Sequence, residues 1–258
     1  MTDTTKPPRG ARVAQIGCGH WGKNLARNFH AVGGLAAVAD TDPDTARRHA
    51  EMYDVPALGW QDVLAAQDID SVAIAAPAEL HAQLAAQAMS AGKDVYVEKP
   101  LALDLDAAEE LCRQAERDGR VLMVGHLLQY HPAFLKLREI VREGQLGRLQ
   151  YLYSNRLNLG KIRREENILW SFAPHDISMI LSLTGQEPHF VSAVGARYLH
   201  ERIADVTTTH LAFPAGERAH IFVSWLHPFK EQKLVLVGDA GMATFDDSKD
   251  WGEKVVYY

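Results

Sequence analysis

The chain has 258 residues, of which 47% are hydrophobic and 23% charged, with 27 Lys+Arg against 33 Asp+Glu for a formal net charge of −6. This is the composition of an ordinary globular chain, long enough for one large or two small domains with a sizeable core, and its acidic balance argues against nucleic acid or an anionic membrane as partner. The longest stretch free of strongly polar residues, 31–39, is about half the roughly 20 residues a membrane span needs, and the two cysteines, Cys18 and Cys112, offer neither a disulfide framework nor a Cys-rich metal site, which suits the cytoplasm.

Residues 1–10 are polar, contain Lys6-Pro7-Pro8 and lack the apolar core of a secretory signal; they read as a disordered leader. Residues 13–16 then predict a strand. Trp21, Leu25, Phe29 and Val32 recur on one face of a helix. Strands follow at 35–39, stopped by Asp40, and at 55–58, with Asp42-Pro43 opening the helix between them. A short helix covers Val63 and Leu64. The unbroken apolar run 71–76 predicts a strand covered on both faces. Helices over 79–91 and 106–118, each closed by a glycine (Gly92, Gly119), alternate with strands at 95–97 and 121–124. Strands separated by helices predict a parallel sheet, an α/β Rossmann-type domain over 11–126.

The pattern changes beyond residue 126. After a helix over 132–143, β-rich segments dominate at 149–158, 190–198, 206–213, 220–225, 234–237 and 242–245, with one helix near 175–183. This half, 127–258, predicts an α+β domain with a largely antiparallel open sheet.

Gly17-Cys18-Gly19-His20-Trp21-Gly22 is a complete G-x-G-x-x-G between a predicted strand and a predicted helix. In that context the glycines permit the tight turn, the approach of a pyrophosphate and close helix packing, with the phosphates on the helix N-terminus. Asp40 ends the second strand at the distance where a carboxylate binds an adenosine ribose and repels a 2′-phosphate. No Arg or Lys occupies 41–45, so the cofactor indicated is NAD. Cys18 needs only to be small, and no redox role is assigned to it.

Val97-Glu98-Lys99-Pro100 closes another strand at its carboxyl end, the edge where open α/β sheets hold ligands. Lys99 there suits proton transfer or stabilisation of a developing negative charge; a surface lysine before a turn proline is an equal alternative from spacing alone. Together with the glycine loop and Ala76-Pro77 followed by His81, this segment resembles the Gfo/Idh/MocA oxidoreductases. The resemblance covers nearly all of the chain. It implies that Lys99 is catalytic, that its peptide bond to Pro100 is often cis, and that Ala75, Pro77, His81 and Glu98 lie along the nicotinamide side. It also implies that the C-terminal sheet mediates a homo-oligomer, a dimer or tetramer. Family members continue past the position of Tyr258, so the chain reads as truncated there.

The family's second motif, Asp-x-x-x-His before a helix, aligns His175 with a catalytic histidine and puts Ser171 in place of the aspartate. The segment from Tyr153 through Asn155, Arg156, Lys161, Arg163 and Arg164 to His175 is similar to the branch that oxidises C3 of UDP-N-acetylglucosaminuronate for surface-polysaccharide sugars. Arg156, Lys161 and Arg163 would receive its anionic groups, with Asn155, Lys99, His175 and, more loosely, Tyr130 beside the sugar. The alternative for the basic cluster is a solvated loop balanced by Glu165 and Glu166. Twelve histidines occur, but none shows convincing metal-site spacing. The expectation is therefore an NAD-dependent sugar-nucleotide dehydrogenase, with His175 as base and Lys99 holding the oxygen. The alternatives are another sugar or polyol dehydrogenase or reductase of the family, or a non-catalytic NAD-sensing regulator.

Overall fold

The computed structural model describes residues 10–159, 162 and 166–258. The leader up to residue 9, and Lys161, Arg163, Arg164 and Glu165 of the basic segment, lie outside the described residues. The chain forms two compact units, the first ending at Gly125 and the second beginning at His126.

The first unit contains β1 (Val13–Ile16), α1 (Gly22–Ala31), β2 (Leu35–Ala39), α2 (Pro43–Tyr53) and α3 (Trp60–Ala65). It continues with β3 (Ser71–Ile74), α4 (Ala78–Ser90), β4 (Asp94–Val97), α5 (Leu105–Asp118) and β5 (Leu122–Val124). The strands form one five-stranded sheet in the order β2-β1-β3-β4-β5, parallel throughout. Every residue of β1 is buried, as are all but the first of β2 and β3, because helices must cover both faces of a parallel sheet. Since β1 lies between β2 and β3, the strand order reverses there, which opens a crevice at the carboxyl edge.

Local chemistry sets the helix limits. The Asp42 carboxylate accepts the Asp44 and Thr45 N–H groups at the start of α2, with Pro43 in the first turn. Asp104 caps α5 through Ala107 N–H, and Gly119 ends that helix at φ +62°.

Three sequence expectations need correction here. Residues 55–58 form no strand; Ala57 makes a single bridge to Val38. On α1 the buried stripe is Gly22 and Ala26, while Trp21 and Val32 stand at its caps and are exposed. Small residues lie inward because this helix packs close to its sheet. Finally, β3 stops at Ile74: Ala75 N–H still bonds to the Ile16 carbonyl, but Pro77 has no N–H to extend the ladder.

The second unit begins with α6 (Pro132–Arg142), β6 (Leu149–Leu157) and α7 (Ile168–Thr184). The strands β7 (Phe190–Ala196), β8 (Val206–Ala212), β9 (Arg218–Ser224), β10 (Glu231–Gly238), β11 (Met242–Asp246) and β12 (Val255–Tyr257) follow. They form a seven-stranded sheet in the order β12-β11-β10-β6-β9-β8-β7. All neighbours are antiparallel except β6 and β9, which run parallel. Leu152, Ile221, Val223 and Leu236 face the helices, together with the fully buried Phe134, Met179 and Trp225. Each such side chain contributes about 1.5–3 kcal/mol by its removal from water. The opposite face leaves Tyr151, Phe190, Val194 and Met242 exposed.

α7 begins at Ile168, not near residue 175, so His175 lies mid-helix rather than at a helix start. Pro174 imitates a first-turn proline in the sequence. The operative cap is Asn167, whose side chain accepts Trp170 N–H at 3.0 Å.

Candidate functional site

At the carboxyl edge of β1 the three glycines meet three different constraints. Gly17 has φ +80°, and a Cβ on it would lie 2.9 Å from the Ala75 carbonyl oxygen. A Cβ on Gly22 would come within 1.9 Å of the Gly17 carbonyl oxygen. A Cβ on Gly19 would meet nothing within 4 Å. Gly17 and Gly22 are therefore required by the protein's own packing. Gly19 is not, and its bare backbone borders open space. The adjoining N-terminus of α1 has no acidic residue in its first turn and no side-chain cap at Trp21. Open space beside a bare backbone, at an uncapped helix start, fits a pyrophosphate.

Asp40 stands one residue past β2. Its Oδ2 accepts Cys18 N–H at 2.7 Å and its Oδ1 accepts Asp42 N–H at 2.9 Å, which fixes a carboxylate at the rim of the glycine loop. Burial, and then the charge of Asp40, push the Cys18 thiol up to about 11, so it stays protonated and unreactive at neutral pH. His20 is exposed on the same loop.

At the end of β4, Glu98 is almost fully buried and accepts three hydrogen bonds. Trp21 Nε1–H and Tyr96 O–H donate to Oε1 at 2.6 and 2.9 Å, and Lys99 N–H donates to Oε2 at 3.3 Å. The half-buried Lys99 precedes a cis peptide bond to Pro100. His81 is buried on α4, with Nδ1 2.7 Å from the Pro100 carbonyl oxygen and Nε2 2.9 Å from that of Ala76. Its ring is thus engaged by the backbone of two edge loops, which it ties together. Ala75 and Pro77 flank Ala76 in one of those loops.

In the second unit His175 is half-buried on α7, and the His126 ring stands edge-on to it at 6.5 Å. Ser171, one turn earlier, is buried. Asp176 is 1% exposed beneath the helix; Arg156 of β6 grips it through Nε at 2.8 Å and Nη2 at 3.2 Å, and the Ser154 hydroxyl adds a bond at 2.6 Å. Arg156 was expected to receive an anionic sugar group. Here it is buried and forked onto an aspartate, so it anchors α7. Asn155 points to the other sheet face and donates to Glu231 at 2.7 Å. Strand alternation keeps these two neighbours from facing one ligand. Tyr130 is exposed at the end of a 3₁₀ turn, and His131 caps α6 by accepting Ala133 N–H.

The expected site residues thus divide into half-buried ones, Lys99 and His175, and buried ones that brace their surroundings, among them His81, Glu98 and Arg156. Sequence reasoning missed His126 and Asp176. His126 stands two residues past β5, as Lys99 stands two residues past β4, a signal of position alone, and Asp176 is marked only by its adjacency to His175. Among the described residues no group of three His, Cys, Asp or Glu side chains is placed to hold a metal ion, and no helix is long and apolar enough to cross a membrane.

A Rossmann sheet with a glycine loop at its switch point and an acidic residue closing β2 defines a dinucleotide-binding protein. Residues 11–126 match the model of an oxidoreductase family described as an NAD-binding Rossmann fold, and residues 134–244 match the GFO/IDH/MocA C-terminal domain. The chain belongs to the Gfo/Idh/MocA family, and its first unit is that family's NAD-binding fold. It is similar to UDP-N-acetylglucosamine 3-dehydrogenase from Acidithiobacillus ferrooxidans, at 32% identity over 83% of this chain and 66% of that one. A crystal structure of that enzyme superposes with a TM-score of 0.87, covering 96% of this chain and 80% of the other at 29% identity. Inositol 2-dehydrogenase from Rhizobium meliloti is 29% identical over 75% of this chain and 61% of its own length. A protein of gentamicin A biosynthesis, solved in complex with NAD, superposes with a TM-score of 0.86 at 25% identity, covering 93% of this chain and 75% of that one. The chain therefore spans about two thirds of the length of the curated relatives it matches.

Proposed function

We propose that the chain is an NAD-dependent dehydrogenase that oxidises the C3 hydroxyl of a UDP-N-acetylglucosamine-type sugar nucleotide. The observation that carries this reading is the lysine loop: Lys99 stands at the carboxyl end of β4, its backbone held by a Glu98 that also bonds into the glycine loop.

NAD supplies a hydride acceptor at its nicotinamide ring. The protein's residues do the rest. Gly19 and the first turn of α1 receive the pyrophosphate, and Asp40 receives the adenosine ribose while its charge repels a 2′-phosphate. The C3 hydroxyl loses its proton as the hydride leaves, and His175 takes that proton. The Lys99 ammonium donates to the same oxygen while negative charge builds on it. Ser171 replaces the aspartate of many relatives, so His175 works without that neighbouring carboxylate.

The sugar is inferred from two directions. The sequence segment upstream of His175 favours the uronate, and the similar enzyme named above acts on UDP-N-acetylglucosamine. Arg156 is committed to Asp176, which removes one of the cations that favoured the uronate. The skeleton the two substrates share is therefore the proposal. In the same reading the reaction is cytoplasmic, feeds surface-polysaccharide sugars and is carried out by a homo-oligomer assembled through the second unit's sheet.

The test is NADH formation by the purified chain with UDP-N-acetylglucosamine, its C6 uronate and myo-inositol. Turnover of either UDP-sugar in preference to inositol supports the assignment. Turnover of inositol alone replaces the substrate class, and NAD binding without turnover of any sugar points to a sensor instead. Lys99→Met and His175→Asn should each lose about 10²–10⁴-fold in kcat with NAD affinity retained. Near-normal turnover in both would remove the proposed chemistry.

A further inference from the structure

Trp21 is the unexplained residue of the glycine loop. It sits at the N-cap of α1, between the second and third glycines, with 42% of its surface exposed. Burial of the rest of the ring does not by itself choose tryptophan over another large apolar residue. Its polar atom is nevertheless fully engaged, because Nε1–H donates to Glu98 Oε1 at 2.6 Å, across 77 residues of sequence.

Glu98 is placed to pass that contact on. It is 9% exposed, and a carboxylate taken this far from water needs donors. Trp21 and Tyr96 supply two to Oε1, and the Lys99 backbone N–H supplies one to Oε2. All three are donors, and together they occupy both carboxyl oxygens. The carboxylate is also confined by Gly125. A Cβ there would lie 2.6 Å from Tyr96 Oη and 2.9 Å from Glu98 Oε1, so the space these groups occupy exists only because residue 125 has no side chain. On the far side of the lysine, His81 holds the Pro100 carbonyl. The backbone of Lys99 is gripped before and after, and the Trp21 contact carries that grip into the loop that receives the dinucleotide.

We infer that Trp21 is a positioning residue: through Glu98, seated against Gly125, its indole N–H sets the lysine loop, so that the conformation of the glycine loop determines where Lys99 stands. This deepens the proposed function, since it rests on Lys99 acting at the substrate oxygen. The indole is then a strut between two loops, not a stacking surface for the cofactor.

The experiment uses Trp21→Phe, which keeps an aromatic ring and removes the N–H, with Glu98→Gln and Gly125→Ala as companions. Trp21→Phe should leave the NAD dissociation constant within about threefold and lower kcat tenfold or more. Combining it with Glu98→Gln should cost no more than the worse single change, because the two act through one contact. A second measurement is independent of turnover. In ¹⁵N-labelled protein the Trp21 indole resonance should move on Glu98→Gln, and the Lys99 amide resonance should move on Trp21→Phe. Gly125→Ala, which displaces the carboxylate, should shift both.

Three results would overturn the inference: an indole resonance indifferent to Glu98→Gln, a Lys99 amide unmoved by Trp21→Phe, or an unchanged kcat in Trp21→Phe. A weaker NAD affinity with kcat intact would make Trp21 a cofactor contact instead. If Lys99→Met keeps its turnover, the proposed function fails, whereas the resonance shifts still decide whether the strut exists.

Discussion

The two units hold their candidate site residues in place by different means. The first uses main chain: a bare backbone at Gly19, the N–H groups of Cys18 and Lys99 held by carboxylates, and the carbonyls of Ala76 and Pro100 held by one histidine. The second uses side chains: His175 beside His126, on a helix pinned by Asp176 to Arg156 and Ser154. Main-chain chemistry demands particular residues at fixed spacing, mostly glycines, because only they give the backbone room. Side-chain pairings such as Arg156 with Asp176 and His126 with His175 are assembled across elements remote in sequence and leave no spacing to read.

That contrast breaks most readily at the Arg156–Asp176 pair. Arg156→Met leaves a buried carboxylate without its cation and should lower stability by about 3–5 kcal/mol, seen as an earlier denaturant midpoint. Replacing both partners by apolar residues, Arg156→Met with Asp176→Leu, should recover most of the loss. A stable Arg156→Met with weakened sugar affinity would instead return the arginine to the substrate.

Two alanines sharpen the main-chain side. Gly22→Ala drives a methyl into the Gly17 carbonyl and should cost about 1–3 kcal/mol along with NAD affinity. Gly19→Ala has room for its methyl, so stability should hold within about 0.5 kcal/mol while NAD affinity falls tenfold or more, measurable by calorimetry. Equal effects in the two would end the distinction between a packing glycine and a binding one. A smaller change is expected from Asp40→Ser. Removing the carboxylate should shift the NAD-to-NADP preference about tenfold toward NADP, with some loss of NAD affinity because Cys18 N–H loses its acceptor.

The smallest effect lies on the sheet of the second unit. There His220 stacks on Tyr153 and neighbours His210 across the strands. Burial first, and His210 second, hold the His220 ring below its ordinary value. The folded chain then binds fewer protons there than the unfolded chain. Stability from the neutral ring is complete above about pH 6.5 and is lost as pH falls through the folded value. A thermal midpoint that declines in acid, with a shallower decline in His220→Gln, is the outcome to check.

How much was legible follows the same division. In the first unit, unbroken apolar runs and glycine-terminated helices marked the parallel strands and their crossovers, and the glycine loop and Asp40 stand where the spacing put them. The misread 55–58 segment is an apolar stretch that makes one bridge and no ladder. In the second unit the strands were visible as β-rich segments, but their order was not. β6 pairs with β9 and β10, to which no short turn connects it. Asn155 and Arg156 both read as substrate contacts because they are adjacent in sequence, yet a strand sends them to opposite faces. Pro174 concealed the true start of α7 because a proline reads as a beginning or a break, and the capping bond of Asn167 outweighs it.

The place of β6 bears on how the chain reaches this form. It is the first strand of its sheet to be synthesised and one of the last able to find both neighbours, since β9 and β10 emerge from the ribosome much later. Sheets closed by such distant pairings form slowly and expose strand edges while they wait. The first unit, whose partners arrive within a crossover or two, can consolidate on the nascent chain in the meantime. Recombinant yield should therefore respond to temperature and chaperone supply chiefly through residues downstream of His126.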